Sequence, residues 1–155
     1  MTIIRNGSWI SELLTKFKVL KVRWEPHCES TWTIQYQDCE SFKIDEKFFD
    51  TIEEDEQLVG GEIEAEISLS VEEILPTTKK EKSFSYEGGW ITVTGIYEDI
   101  IISEWDGVTY TNYKLDSVFP LRISKIPESA QIGDWITVEG EPDLILPRER
   151  REEMR

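Results

Sequence analysis

Residues 62–71 read Glu-Ile-Glu-Ala-Glu-Ile-Ser-Leu-Ser-Val, ten positions in strict alternation of polar and apolar side chains. Successive side chains of a β-strand point to opposite faces, so a period of two makes a strand with one wet face and one dry face. The rest of the chain must supply neighbouring strands and a core for that dry face. Shorter alternations at 20–24 and 32–36 do this. After a polar loop at 76–82, further strands are expected at 83–86, 90–97, 100–105, 108–115, 119–126, 135–139 and 144–146. Asp106-Gly107 between two of them is a hairpin turn, since both residue types accept positive φ.

Two stretches depart from this period. Trp9, Ile10, Leu13, Leu14 and Phe17 recur at helical spacing behind Ser8, a good cap, and predict a short amphipathic helix over about 9–17. Residues 42–56 fit either period, and the reading leans to a short helix from about Asp45. The expected fold is β-dominated: one small domain over residues 1–147, a partly closed barrel or compact sandwich with a short N-terminal helix, followed by a charged tail at 148–155. A chain of 155 residues is sized for a single core, and six Trp, five Tyr and six Phe can fill it without disulfide or metal.

One motif occurs twice. Gly88-Gly89-Trp90-Ile91-Thr92-Val93-Thr94-Gly95 returns as Gly133-Asp134-Trp135-Ile136-Thr137-Val138-Glu139-Gly140, at an offset of 135 − 90 = 45. Two copies are too few for a solenoid or propeller, whose units need several neighbours to bury a shared core. The motif is read as architectural: a glycine turn, a strand, and a second glycine that bends the sheet, with both tryptophans filling the core. Alternatively, Trp90, Trp105 and Trp135 are exposed and stack on a ligand. A small barrel of the oligonucleotide/oligosaccharide-binding type would use them that way, for nucleic acid or a small molecule, with cations from residues 16–23 nearby.

Charge carries what the sequence says about partners. Seventeen bases against 32 acids give a net charge of −15, which repels nucleic acid and anionic membranes and favours a basic partner. The acidity is regional. Residues 25–75 hold sixteen acids against Lys43 and Lys47, whereas residues 1–24 hold five bases against Glu12. Glu62, Glu64 and Glu66 share one face of the alternating strand at about 6.7 Å spacing, close to the pitch of phosphates along a nucleic-acid strand. With Glu53, Glu54, Asp55 and Glu56 upstream, they form the candidate surface for a basic protein.

Other chemistry is poorly supplied. His27, Cys28 and Cys39, with Glu29, Asp38 and Glu40, are the only metal- or thiol-like grouping. A strand over 31–38 would hold the two cysteines about 26 Å apart, too far to share an ion or a disulfide. His27 is the sole imidazole, and no nucleophile elbow, phosphate loop or dinucleotide fingerprint is present. A carboxylate pair is the one enzymatic reading left open; no catalytic residue, metal or cofactor is assigned. No leader or membrane span is read at the N-terminus, so the expected location is cytoplasmic, with free thiols.

Overall fold

The computed structural model describes residues 2–5, 11–25, 29–46 and 58–146 and turns nearly every alternating stretch into a strand. In chain order these are β1 (Thr2–Arg5), β2 (Thr15–Glu25), β3 (Glu29–Gln35), β4 (Phe42–Glu46), β5 (Glu62–Leu75), β6 (Ser83–Glu87), β7 (Trp90–Trp105), β8 (Val108–Asp116), β9 (Pro120–Ile123) and β10 (Trp135–Ile145). All ten belong to one hydrogen-bonded sheet. No helix among the described residues is long and apolar enough to cross a membrane.

The sheet closes on itself twice, and both closures use β5 and β10. These two run antiparallel from Thr137↔Leu75 to Ile145↔Glu66. One ring continues from β5 through β2, β3 and β4 and returns to β10 by a parallel pairing at Asp143↔Asp45. The other runs from β10 through β7, β8 and β9 and returns to β5 by a parallel pairing at Ile67↔Leu121. The chain is therefore two similar four-stranded units, β2–β5 and β7–β10. In each, the first strand pairs antiparallel with its own fourth, and the third runs parallel to the fourth of the other unit.

The repeated motif has a specific role in this plan. Its two copies lie side by side as β7 and β10, where Ile91 faces Gly140, Ile136 faces Gly95 and Val93 faces Val138. The copies thus pair with each other about a local two-fold axis. Each glycine lies opposite the other copy's isoleucine, and each is pressed by a third strand. A Cβ on Gly95 would stand 2.5 Å from the Asp116 carbonyl oxygen, and one on Gly140 would fall inside contact distance of the Ser70 carbonyl. Gly140 also sits where the β10–β5 register skips Glu72, a bulge that bends the pair.

Inward residues of both rings meet in one continuous core, among them Trp32, Ile34, Ile63, Ile67, Val93, Leu121 and Val138. Phe119, just before β9, packs against Phe17 at 5.2 Å, Phe84 at 5.1 Å and Tyr36 at 5.3 Å between ring centroids, and so ties the second ring to the first. Each such aromatic pair contributes about 0.5–1.5 kcal/mol beyond its buried area.

Several expectations need correction. Thr15–Phe17 begin β2, and only Ser11–Leu13 form a turn of 3-10 helix. The helical spacing came from apolar residues straddling two elements: Phe17 belongs to the core, while Leu13 is buried in a separate cluster with Ile101. Ser8, Trp9 and Ile10 lie outside the described residues. Asp45 lies within strand β4, where Ile44 pairs with Trp32 and Phe42 with Ile34; residues 47–57 lie outside the described set. The stretches 90–97 and 100–105 are one strand, bulged at Glu98, and Leu144 and Ile145 are the end of β10 rather than a separate strand. Asp106 and Gly107 form the expected turn, with φ of 52° and 77°.

The tryptophans of the repeat do not fill the core. Ile91, Val93 and Gly95 take the inward positions, so Trp90 points outward and is 43% exposed, and Trp135 is half-buried. Among the described side chains the core tryptophan is Trp32, fully buried, with its indole N–H donating to Ser30 Oγ at 2.8 Å.

Gly140→Ala is expected to cost at least ~3 kcal/mol, because backbone of β5 blocks the new methyl and neither strand can retreat without opening a ring. Gly61→Ala, whose Cβ would meet only the Leu58 carbonyl at 3.4 Å, is expected to stay within about 1 kcal/mol of the parent. Urea denaturation of the two variants measures the difference.

Candidate functional site

The acidic row on β5 is not the continuous ladder its spacing implies. Glu62 and Glu64 are exposed, but they lie directly opposite Lys18 and Lys16 of β2, so that stretch of surface is locally neutral. Glu66 is 1% exposed and holds Arg122 of β9 in a two-pronged pair, with Nη2 donating to Oε1 at 2.8 Å and Nε to Oε2 at 3.1 Å. The reason is topological. Ala65 pairs with β2 and Ile67 with β9, so Glu66 falls at the change of neighbour, where the Ser11–Leu13 turn packs across β5 and β9. Glu66 is therefore not available to a partner. Glu53, Glu54, Asp55 and Glu56 lie outside the described residues.

Carboxylates gather instead on the outer face of β6, β7, β10 and β5. Strand register lines residues up in rows across these four strands. One row runs Ser85, Thr92, Glu139, Glu73. In the next, Glu87 faces Trp90, and Glu141 faces Ser70. Beyond it, Asp143 lies between Asp45 and Ser68. Within β6, β7, β10 and β5 these rows hold no cation; beyond Ser68 the third row meets Arg122 of β9, and Lys43 of β4 lines the cleft beside Glu141. Glu73 and Glu139 are direct cross-strand neighbours of like charge, an arrangement that destabilises an isolated sheet. Thr92 Oγ1 donates to Glu139 Oε2 at 2.9 Å and orients that carboxylate. Trp90 and its flanking Glu87 and Glu141 are exposed. A cleft of about 230 Å³ opens beside them, where Tyr86 and Gly89 meet Thr31 and Lys43.

The remaining candidates do not converge. Lys16, Lys18 and Lys21 are exposed on β2, with register neighbours on β3 and β5, and Arg23 faces Thr31 of β3, so none of the four pairs with the strand that carries Trp90. Trp105 ends β7, and its side chain is outside the described set. His27 and Cys28 lie outside the described residues. Strand β3 stops at Gln35, and Cys39 is a free thiol in the turn that follows, its N–H donating to the Tyr36 carbonyl. Among the described residues, no three His, Cys, Asp or Glu side chains come together as metal ligands. The exposure of Trp90 was readable from the motif, because a strand with Ile91 and Val93 inward turns residue 90 outward. The Glu73–Glu139 pairing leaves no local signal, since the two residues are 66 apart in sequence (139 − 73 = 66).

No family model, curated protein or solved structure matches this chain.

Burial raises the Glu66 carboxyl above its ordinary pKa, and the charge and hydrogen bonds of Arg122 pull it part of the way back. A raised carboxyl pKa means the folded state holds the proton more tightly than the unfolded chain. The cost of keeping Glu66 ionised is thus felt above its folded pKa and fades as pH falls through that value towards 4.5. Arg122→Met strips away the compensating charge and is expected to cost about 3–5 kcal/mol at neutral pH. That loss should shrink on acidification as Glu66 takes up a proton, and Glu66→Met combined with Arg122→Met should recover most of it. Urea titrations at pH 7 and pH 5 check both statements; a loss that grew on acidification would contradict them.

Proposed function

We propose that this chain is a non-enzymatic binding protein that takes a basic protein partner on the acidic outer face of β6, β7, β10 and β5, with Trp90 as its anchor. The observation that carries this reading is an exposed tryptophan set among Glu87, Glu139 and Glu141 on the outer face of four adjacent strands. A guanidinium or ammonium group laid on an indole face is attracted by the ring quadrupole, and Trp and Arg are the side chains that most often dominate interface energies. The opposed Glu73 and Glu139 add a second element, since a cation placed between them relieves a repulsion that the free chain must carry. The net charge of −15 steers a basic partner in from a distance. A nucleic-acid backbone on the same face would meet mainly carboxylates, with Lys43 the cation at the neighbouring cleft, which is why Trp90 is not read as a base-stacking residue. The free Cys39 thiol fits work in a reducing compartment such as the cytoplasm.

An arginine-rich peptide is a direct probe. Trp90→Ala should weaken its binding about 30-fold, the scale of a hot-spot truncation near 2 kcal/mol. Reversing Glu87, Glu139 and Glu141 together to Lys should abolish saturable binding, while reversing Glu62 and Glu64 should leave it near the parent value. Calorimetry at two salt concentrations measures this. Equal affinity across all the variants would mean that diffuse charge alone holds the peptide, and the reading would fail.

A further inference from the structure

The β6–β7 hairpin leaves one edge of the sheet unpaired beside the acidic face. Gly88 and Gly89 form its two-residue turn, with φ of 60° and 89°. A turn of that length makes Glu87 and Trp90, which face each other, a pair that exchanges backbone hydrogen bonds. Such pairs alternate along an antiparallel ladder, so Ser85 bonds with Thr92 and Ser83 with Thr94. The N–H and C=O groups of Phe84 and Tyr86 therefore point away from β7. Among the described residues no other strand pairs with β6, and those backbone groups have no partner.

This edge is held firm and left unguarded. Between ring centroids, Phe84 lies 5.0 Å from Phe42 and 5.1 Å from Phe119, and Tyr86 lies 6.0 Å from Phe42. The two inward rings thus pin β6 to the core. Natural edge strands are commonly blunted by lysine, proline or a bulge. Ser83–Glu87 contains none of the three. Its outward residues are Ser83, Ser85 and Glu87, all exposed. Lys80 and Lys82 precede Ser83, at the opposite end of the strand from Glu87.

The outer face of β6 selects what pairs with it. A strand laid along the free edge would add its alternate side chains to the row of Ser85, Thr92 and Glu139 and to the row of Glu87 and Trp90. A cation opposite Glu87 becomes its direct cross-strand neighbour. Trp90 stands one strand further, about 9.6 Å from the added backbone at two strand spacings. An arginine side chain spans most of that distance and brings its guanidinium to the indole.

We propose that the basic partner binds by strand addition: an extended segment with a cation at every second residue pairs with Phe84 and Tyr86 and lays its cations on the outer face beside Glu87 and Trp90. This rests on the reading of the acidic face as the site for a basic protein, and it names the shape of the segment that the face takes.

The test uses the full chain and a peptide of about nine residues that alternates arginine with threonine. Two further copies of the peptide are N-methylated, one at every arginine and one at every threonine. A strand added to β6 turns only every second N–H towards it, and the cations fix which face is outward. One methylated copy should therefore bind at least about tenfold more weakly than the parent peptide, and the other about as well. With the parent peptide at saturation, the amides of Phe84 and Tyr86 should exchange with solvent at least about tenfold more slowly than in the free chain. Two methylated copies that both match the parent, or that lose affinity equally, would overturn the proposal, as would unprotected Phe84 and Tyr86 amides. If Trp90→Ala still weakens the parent peptide in that case, the acidic face stands and strand addition alone fails. If the parent peptide does not saturate, or binds the Trp90→Ala variant equally well, the acidic-face reading falls and this one with it. A free chain that sediments as a dimer and is dissociated by the peptide would assign the edge to a second copy, against the proposal.

Discussion

Strands β5 and β10 each serve two rings at once, and most of the structure follows from that double duty. A strand has two edges, so sharing one pair between two rings requires the outer edges of that pair to change partner partway along. On β5 the change falls at Glu66, between pairing with β2 and with β9. On β10 it falls at Glu141 and Pro142, between pairing with β7 and with β4. Proline, which has no N–H to give, is well placed at such a gap. Gly140 lets β10 approach β5 closely enough for the pair to bend, Gly95 does the same for β7 against the end of β8, and a side chain at either would collide with a neighbouring carbonyl.

The same constraint sorts the charges. Where the edge neighbour of β5 changes, the 3-10 turn packs against β5 and β9, and the buried carboxylate of Glu66 is matched by the largely buried guanidinium of Arg122. Where β5 faces β2, lysines stand opposite the glutamates. Where β5, β10, β7 and β6 run side by side, Glu73 and Glu139 stand opposite each other in a row without a cation, and there the outward tryptophan of the repeat sits among carboxylates. The acidic face is thus a product of register, fixed by the pairing that closes the rings.

The alternation of Ile63, Ala65, Ile67 and Leu69 against polar neighbours made the long central strand legible, and the Gly-flanked repeat marked the two strands that pair about a local two-fold. Local pattern could also have oriented Trp90, had the inward period of Ile91 and Val93 been followed back one residue instead of assigning a large apolar ring to the core. Glu66 is a different case. Its parity is that of Glu62 and Glu64, and nothing within ten residues tells that its stretch of the outer face is covered. Leu13 and Phe17 misled because helical spacing can arise by chance where two elements meet.

If β5 and β10 are the common support of both rings, the rings cannot unfold one at a time. Native-state hydrogen exchange tests this directly. The slowest amides of β3 and β4 in one ring, and of β8 and β9 in the other, should exchange with the same free energy as those of β5 and β10, equal to the global stability from denaturant. Exchange of one ring's slowest amides at a free energy several kcal/mol lower, with the other ring still protected, would contradict the account.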